Sequence, residues 1–308
     1  MAAFSLDLDE TLRHAAASLA TTGLGANPFA RLTIVRDGAQ FDFQIDAPVP
    51  GAGLQRTAVR PNGDPALHAW LLQLMIPGAS PAGGRDIATR LQQAGVLIPV
   101  ERVPEPVAFD WPHESFEIFA ADPPAVLLAE LTAARAAVPA IGFAETRGLV
   151  PQPWLGALQR YYAALVAGGF LAASDDQSHR YTAHDEPIAA EWHRLLWPLV
   201  SRAIPEPIRP TYSYLGLYRP GAVLERHTDR EECEYTLSLT IDARPSAARD
   251  DAWPLCLELP DGRMVRSLLA PGDGLLFKGR DLPHYREALP QGRTSWSVFF
   301  HFIPSAHR

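Results

Sequence analysis

The chain has 308 residues, 47% of them hydrophobic, enough for about two domains and a sizeable core. A formal net charge of −8 argues against a nucleic-acid or anionic-membrane partner, and no run reaches the roughly eighteen apolar residues of a membrane span. The start, Met1-Ala2-Ala3-Phe4-Ser5-Leu6-Asp7, lacks a basic segment followed by an apolar one, and only Cys233 and Cys256 are present, so a cytoplasmic, reducing location is expected.

Residues 5–21 carry Leu8, Leu12, Ala15, Ala16 and Leu19 at helical spacing. Two strands follow, Arg31–Val35 and Gln40–Ile45, around the hairpin signal Asp37-Gly38. Residues 46–64 are rich in Pro and Gly and read as a loop. Asp64 caps a helix from Pro65 to Ile76, and Ser80-Pro81 opens another that stops at Gly95. A short strand, Val96–Val100, completes a small N-terminal α/β domain, residues 1–105, that resembles a winged-helix unit. Small domains of this kind bind leader peptides in ribosomal-peptide biosynthesis, so a leader peptide is the partner this analogy implies; the alternative is a structural cap on the rest of the chain.

Val103 to Pro112 holds three prolines and reads as a linker. Residues 106–205 form a helical support region. Asp122-Pro123-Pro124 caps and opens a helix to about Ala137. In the helix from Pro153 to Ala167, Trp154, Leu158, Tyr161, Tyr162 and Leu165 form a core stripe. After a polar loop at 175–178, Arg180 to Pro187 reads as a loop near a site mouth. Arg180, His184 and Asp185 are candidate substrate contacts there, with helix capping by Asp185 or Glu186 as the plainer reading. Residues 188–204 are helical.

From Thr211 the hydrophobic period changes to two. Tyr212, Tyr214, Gly216 and Tyr218 share one strand face, and these tyrosines are candidates to line a site. Tyr235–Ile241 is a strand with Thr236, Ser238 and Thr240 on one face, followed by a loop over 243–252. Leu255–Leu259 and Arg263–Leu268 read as a two-residue hairpin across Asp261-Gly262. Leu275–Phe277 and Arg293–Phe302 complete the set. Eight or so short strands with Gly and Pro turns fit an α+β chain whose core, residues 206–308, is a double-stranded β-helix, or jelly roll, flanked by helices.

The chemistry sits on that core. His227 and Asp229 are two apart, so on a strand their side chains share a face. His284 lies 55 residues past Asp229, and Arg293 nine residues further on. Two histidines and one carboxylate are the facial triad of non-haem Fe(II) oxygenases, which leaves three coordination positions open. Arg293, sharing a strand face with Ser295, Ser297 and Phe299, supplies a fixed cation with hydroxyl helpers for the distal carboxylate of 2-oxoglutarate. Cys233 reads as a buried apolar thiol and His301 as structural.

Residues 211–302 resemble the catalytic core of the prolyl-4-hydroxylase-like Fe(II)/2-oxoglutarate dioxygenases. The matching pieces are Tyr218 to Gly221, His227-Thr228-Asp229, Pro271 to Phe277, His284 and Arg293. The resemblance implies iron on His227, Asp229 and His284, and 2-oxoglutarate on Arg293 with Tyr218 facing it. Thr240 falls where many relatives carry a second tyrosine. It further implies O2 as cosubstrate, ascorbate as a supporting reductant in vitro, and an amino acid, free or in a peptide, as substrate. Halogenases with this core lack the carboxylate, so Asp229 points to hydroxylation. Two rival readings are a cupin-like metal enzyme that does not use 2-oxoglutarate and a non-catalytic jelly roll.

Overall fold

The computed structural model describes residues 8–20, 23–37, 40–76, 81–103, 113–173, 178–246 and 248–306. The chain divides into two compact units, Met1–Ala108 with Ala163–Ala172, and Phe109–Tyr162 with Ala173–Arg308.

In the first unit, α1 (Leu8–Leu19) buries Leu12, Ala15 and Ala16. It is followed by β1 (Leu24–Ala26), β2 (Arg31–Asp37), β3 (Gln40–Val49) and β4 (Gly53–Val59). The last three form one antiparallel sheet in the order β2-β3-β4. Residues 46–64 are therefore not one loop. They hold two turns, at 50–52 and 61–63, and between them Leu54 to Val59, free of proline, keeps its N–H groups for pairing with β3.

Helix α2 (Pro65–Leu74) starts as read, with Asp64 accepting from the Leu67 N–H at 3.0 Å. Helix α3 (Arg85–Gln93) opens at Gly84 rather than at Ser80-Pro81, of which Ser80 lies outside the described residues. Strand β5 (Leu97–Pro99) pairs with β1. Phe43, Ile45, Trp70, Leu71 and Leu91 close the core of this unit.

The expected linker falls, beyond Val103, outside the described residues. The second unit begins with α4 (His113–Ala121) and α5 (Ala125–Ile141). Asp122 does not cap α5, because its N–H donates to the Ile118 carbonyl and so closes α4. Pro124 takes the cap position without a side-chain bond, and the helix runs past Pro139 to Gly142. Strand β6 (Phe143–Thr146), α6 (Gln152–Ala167) and β7 (Ala172–Ala173) follow. The stripe on α6 is buried at Leu158, Tyr161 and Tyr162. The polar loop read at 175–178 lies, but for Ser178, outside the described residues.

Arg180 to His184 is strand β8 and not a loop, because it pairs antiparallel with β9 (Ile208–Tyr218), setting Arg180 against Tyr218 and His184 against Tyr214. Between them, α7 (Pro187–Ala203) is capped by Glu186, whose carboxylate accepts from the Ala189 N–H at 3.1 Å. Asp185 instead accepts from the Ser213 N–H at 2.7 Å. Helix α7 buries Trp192, Leu195, Leu196 and Leu199.

The remaining strands are β10 (Leu224–His227), β11 (Tyr235–Arg244), β12 (Leu255–Glu258), β13 (Met264–Ser267), β14 (Gly274–Phe277), β15 (His284–Arg286) and β16 (Thr294–Pro304). Two antiparallel sheets result, ordered β6-β14-β11-β16-β9-β8-β7 and β10-β15-β12-β13. Strand β11 outlasts its expected end at Ile241 by three residues, and Arg249–Asp251 forms a single 3-10 turn. The β12–β13 connection is longer than two residues. Leu259 and Arg263 close it by a backbone bond of 2.9 Å, Gly262 donates back to the Leu259 carbonyl, and Gly262 sits at φ +82°. Pro260 fixes the turn's first corner, so the loop takes three residues with glycine at the left-handed position.

Candidate metal centre

His227 and His284 face each other across the β10–β15 pair, with ring centroids 4.3 Å apart. Each imidazole is oriented by its own chain. His227 Nδ1 lies 2.7 Å from the Glu225 carbonyl and His284 Nδ1 lies 3.0 Å from the Leu282 carbonyl. A carbonyl only accepts, so each Nδ1 carries the proton and each Nε2 keeps a lone pair. Burial holds the His284 pKa down, against the pull of Asp229. The ring is therefore neutral, the form a metal needs.

Asp229 is not on the strand with His227. Strand β10 ends at His227, and Asp229 lies two residues beyond, where its N–H donates to the Gly279 carbonyl at 2.9 Å. Its two oxygens are divided. Oδ2 accepts from the Thr236 hydroxyl at 2.7 Å. Oδ1 lies 3.8 Å from His227 Nε2 and 3.6 Å from His284 Nε2. Two ligand bonds of about 2.1 Å span at most about 4.2 Å, so one cation fits between these three atoms. All three lie within 4.8 Å of one another.

Thr236 has one proton, and it goes to Asp229. The Thr236 oxygen therefore accepts from His301 Nδ1, 3.0 Å away. Gly279 completes the support, because a Cβ there would stand 2.1 Å from Asp229 Oδ2. The donor set, its tautomers and its outer hydrogen bonds thus fit a divalent transition metal of the iron type.

A second donor group, Asp229, Cys233 and His301, shares the same carboxylate. Cys233 is buried, yet its surroundings are polar rather than apolar, since Sγ meets the Tyr212 hydroxyl at 3.1 Å. Burial pushes the thiol up to about 11, so it stays protonated at neutral pH and makes a poor ligand. Burial also pushes Tyr212 well above its ordinary value and His301 down to about 4. His301 lies 4.5 Å from the Tyr212 ring and lines the site, a role beyond the structural one expected of it.

The three donors open into a cavity of about 280 Å³. Leu224, Leu255, Phe277 and Phe299 give it apolar walls. Tyr212, Tyr214, Tyr218, Arg180 and His184, all singled out from sequence, line it. Arg180 donates to the Tyr218 hydroxyl at 3.0 Å and lies over the Tyr214 ring at 5.2 Å. Asp229 is the one carboxylate among the lining residues, against the cations Arg180 and Arg230. With a divalent ion added, the space favours an anionic ligand.

The structure does not bring Arg293 to this cavity. The turn from Pro290 ends at Arg293, β16 starts one residue later, and the guanidinium donates to the Asp251 carbonyl. The strand alternation that assigned its face therefore does not reach it. Ser295 and Ser297 do lie on β16, buried opposite Tyr218 and Gly216 of β9, but outside the cavity lining. Sequence reading missed the part played by Thr236, Gly279 and His301. The available signals were Thr236 at the head of the strand after the His-x-Asp pair, and a glycine two residues past Phe277.

Neither a protein-family model nor a curated protein matches the sequence. Solved structures do. A prolyl-4-hydroxylase from Pseudomonas putida is 19% identical over 57% of this chain and 100% of its own, with a TM-score of 0.48. A non-haem alpha ketoglutarate dependent epimerase from nogalamycin biosynthesis is 14% identical over 57% of this chain and 83% of its own, TM-score 0.48. A prolyl hydroxylase from Trichoplax adhaerens, in complex with a peptide fragment, is 13% identical over 66% of this chain and 96% of its own, TM-score 0.48.

Proposed function

We propose that the chain is an Fe(II)- and 2-oxoglutarate-dependent dioxygenase, built on a jelly-roll core, that hydroxylates an unactivated C–H bond of an amino acid, free or within a peptide. One observation carries this reading: His227 Nε2, Asp229 Oδ1 and His284 Nε2 converge while their other polar atoms are already hydrogen-bonded. Iron(II) with 2-oxoglutarate and O2 supplies the C–H oxidation, and succinate and CO2 leave.

The chain's own residues do the rest. Thr236 fixes the carboxylate so that one oxygen faces the ion. Three protein ligands on one side leave the opposite side for cosubstrate and oxygen. Phe277, Phe299 and Leu255 keep water from the reacting carbon. His184, Tyr212 and Tyr214 form an aromatic wall with polar tips, where a substrate finds both stacking area and hydrogen bonds.

The test is incubation of the full chain with Fe(II), ascorbate and 2-oxoglutarate, following succinate. Turnover above a no-enzyme control is expected, and His227→Ala is expected to remove it. Iron binding without any succinate, with or without candidate peptides, would refute the cosubstrate. The position of Arg293 on the Asp251 carbonyl favours a second reading, a metal enzyme that does not use 2-oxoglutarate. The same assay separates the two.

A further inference from the structure

Arg286 follows His284 by two residues on β15. Side chains two apart on a strand share a face. Across the ladder Arg286 is paired with Leu224, as His284 is with His227, and residues opposite each other in an antiparallel pair share a face as well. Leu224, His227 and His284 all line the cavity. Arg286 therefore points to the same side of the sheet as the metal donors, one step further along the strand, though it is not itself among the residues that line the cavity.

The guanidinium is buried, at 2% exposure. Its Nη1 donates to the Trp253 carbonyl at 2.6 Å and its plane lies 4.7 Å from the Trp253 ring centre. Its Nε is buried without a hydrogen-bond partner. Among the described residues no carboxylate lies within ion-pair distance of it. A guanidinium stays charged even when buried. A buried cation without an anion is costly, and chains keep one where a ligand brings the countercharge. Tyr218, which lines the cavity, stands 5.0 Å from the same Trp253 ring.

We propose that Arg286, and not Arg293, is the anchor for the distal carboxylate of the 2-oxo diacid, with Trp253 holding the guanidinium in place. The inference rests on the cosubstrate reading above. Its length is consistent. Two residues along a strand advance about 6.6 Å. A five-carbon diacid spans roughly 5 Å between its carboxyl carbons, and a ligand bond to the metal adds about 2 Å.

The test is binding, measured by calorimetry on the full chain loaded with Mn(II) under anaerobic conditions. Two probes are compared, 2-oxoglutarate and 2-oxopentanoate, which has a methyl group in place of the distal carboxylate. The parent is expected to prefer 2-oxoglutarate by about 100-fold or more, as a site built for a polar group rejects an analogue lacking it. Arg286→Met should bring that ratio to within a few-fold of one while Mn(II) affinity holds. Arg286→Lys should give an intermediate ratio, and it decides the matter if the methionine variant does not fold. Parent-like ratios in either variant overturn the proposal, as does collapse of the ratio in Arg293→Met alone. A parent that shows no preference between the two probes refutes the cosubstrate reading itself, and the anchor with it.

Discussion

Replacing Gly279 with alanine should remove the metal while leaving the fold. The added Cβ would sit 2.1 Å from Asp229 Oδ2, 2.8 Å from its Cγ and 2.9 Å from Thr236 Oγ1. Packed atoms settle at roughly 3.5 Å, so the carboxylate oxygen must retreat by more than about 1 Å. The backbone cannot absorb this easily, because the Asp229 N–H is bonded to the Gly279 carbonyl itself. The retreat breaks the Thr236 bond and turns Oδ1 away from the two Nε2 atoms. Loss of an outer partner alone costs about 10- to 100-fold in metal affinity. Here a ligand moves too, so a loss of at least about 100-fold, or about 2.7 kcal/mol, is expected. Anaerobic calorimetric titration with Mn(II) measures it, and thermal unfolding of the metal-free protein checks the fold. Affinity within threefold of the parent would show that Asp229 does not depend on that space.

The other expectations concern the scaffold and the ion. His193 of α7 is buried against Phe300 and Phe302, and burial pulls its pKa down to about 3. The folded state thus resists its protonation. This stability is complete above about pH 6.5 and drains away as pH falls toward 3, with a slope of up to about 1.4 kcal/mol per unit. Urea midpoints of His193→Phe should fall less than the parent's between pH 6.5 and 4, and equal losses would contradict the assignment. Glu186 takes bonds from the Tyr161 and Tyr162 hydroxyls and the Ala189 N–H. Glu186→Ala leaves three buried donors unmet and should cost about 3 kcal/mol, Glu186→Gln less, read by urea unfolding. Adding Mn(II) at 100 times its dissociation constant should stabilise the parent by about 2.7 kcal/mol and His227→Ala far less; equal stabilisation would place the ion elsewhere.

The convergence of the candidate metal donors was legible because their residue types are rare together and their spacing is a property of the chain. His227 and His284 land opposite each other as the His-x-Asp and distant-His pattern requires. The strand alternation at Tyr212, Tyr214 and Tyr218 was equally legible, since period two survives any register. What failed was whatever depends on where a strand stops. Arg293 loses its inward face because β16 begins at Thr294, and Asp229 lies past the end of β10. Asp122 was misread because one Asp-Pro-Pro run closes a helix and precedes another. Gly279 and Arg286 offer only a position in the chain, two residues past Phe277 and two past His284, with nothing local to mark a role. Their importance comes from contacts across sheets, which no window along the chain contains.

Those contacts explain why the centre is divided as it is. His227 and His284 belong to the four-stranded sheet, while Thr236 and His301 belong to the seven-stranded one. Asp229 belongs to neither, and its carboxylate joins them, Oδ1 toward the histidines and Oδ2 toward Thr236. A ligand placed inside either sheet would have its orientation fixed by pleat alone. A carboxylate on a connecting segment takes its orientation from both sheets at once, so the third candidate donor reports on how they pack. The same logic applies to the buried guanidinium of Arg286, which is carried by the small sheet and lies over Trp253, whose ring packs against Tyr218 of the large one. The candidate metal site and the proposed anion position therefore both lie where two sheets must agree, and a substitution that shifts one sheet against the other should weaken both together.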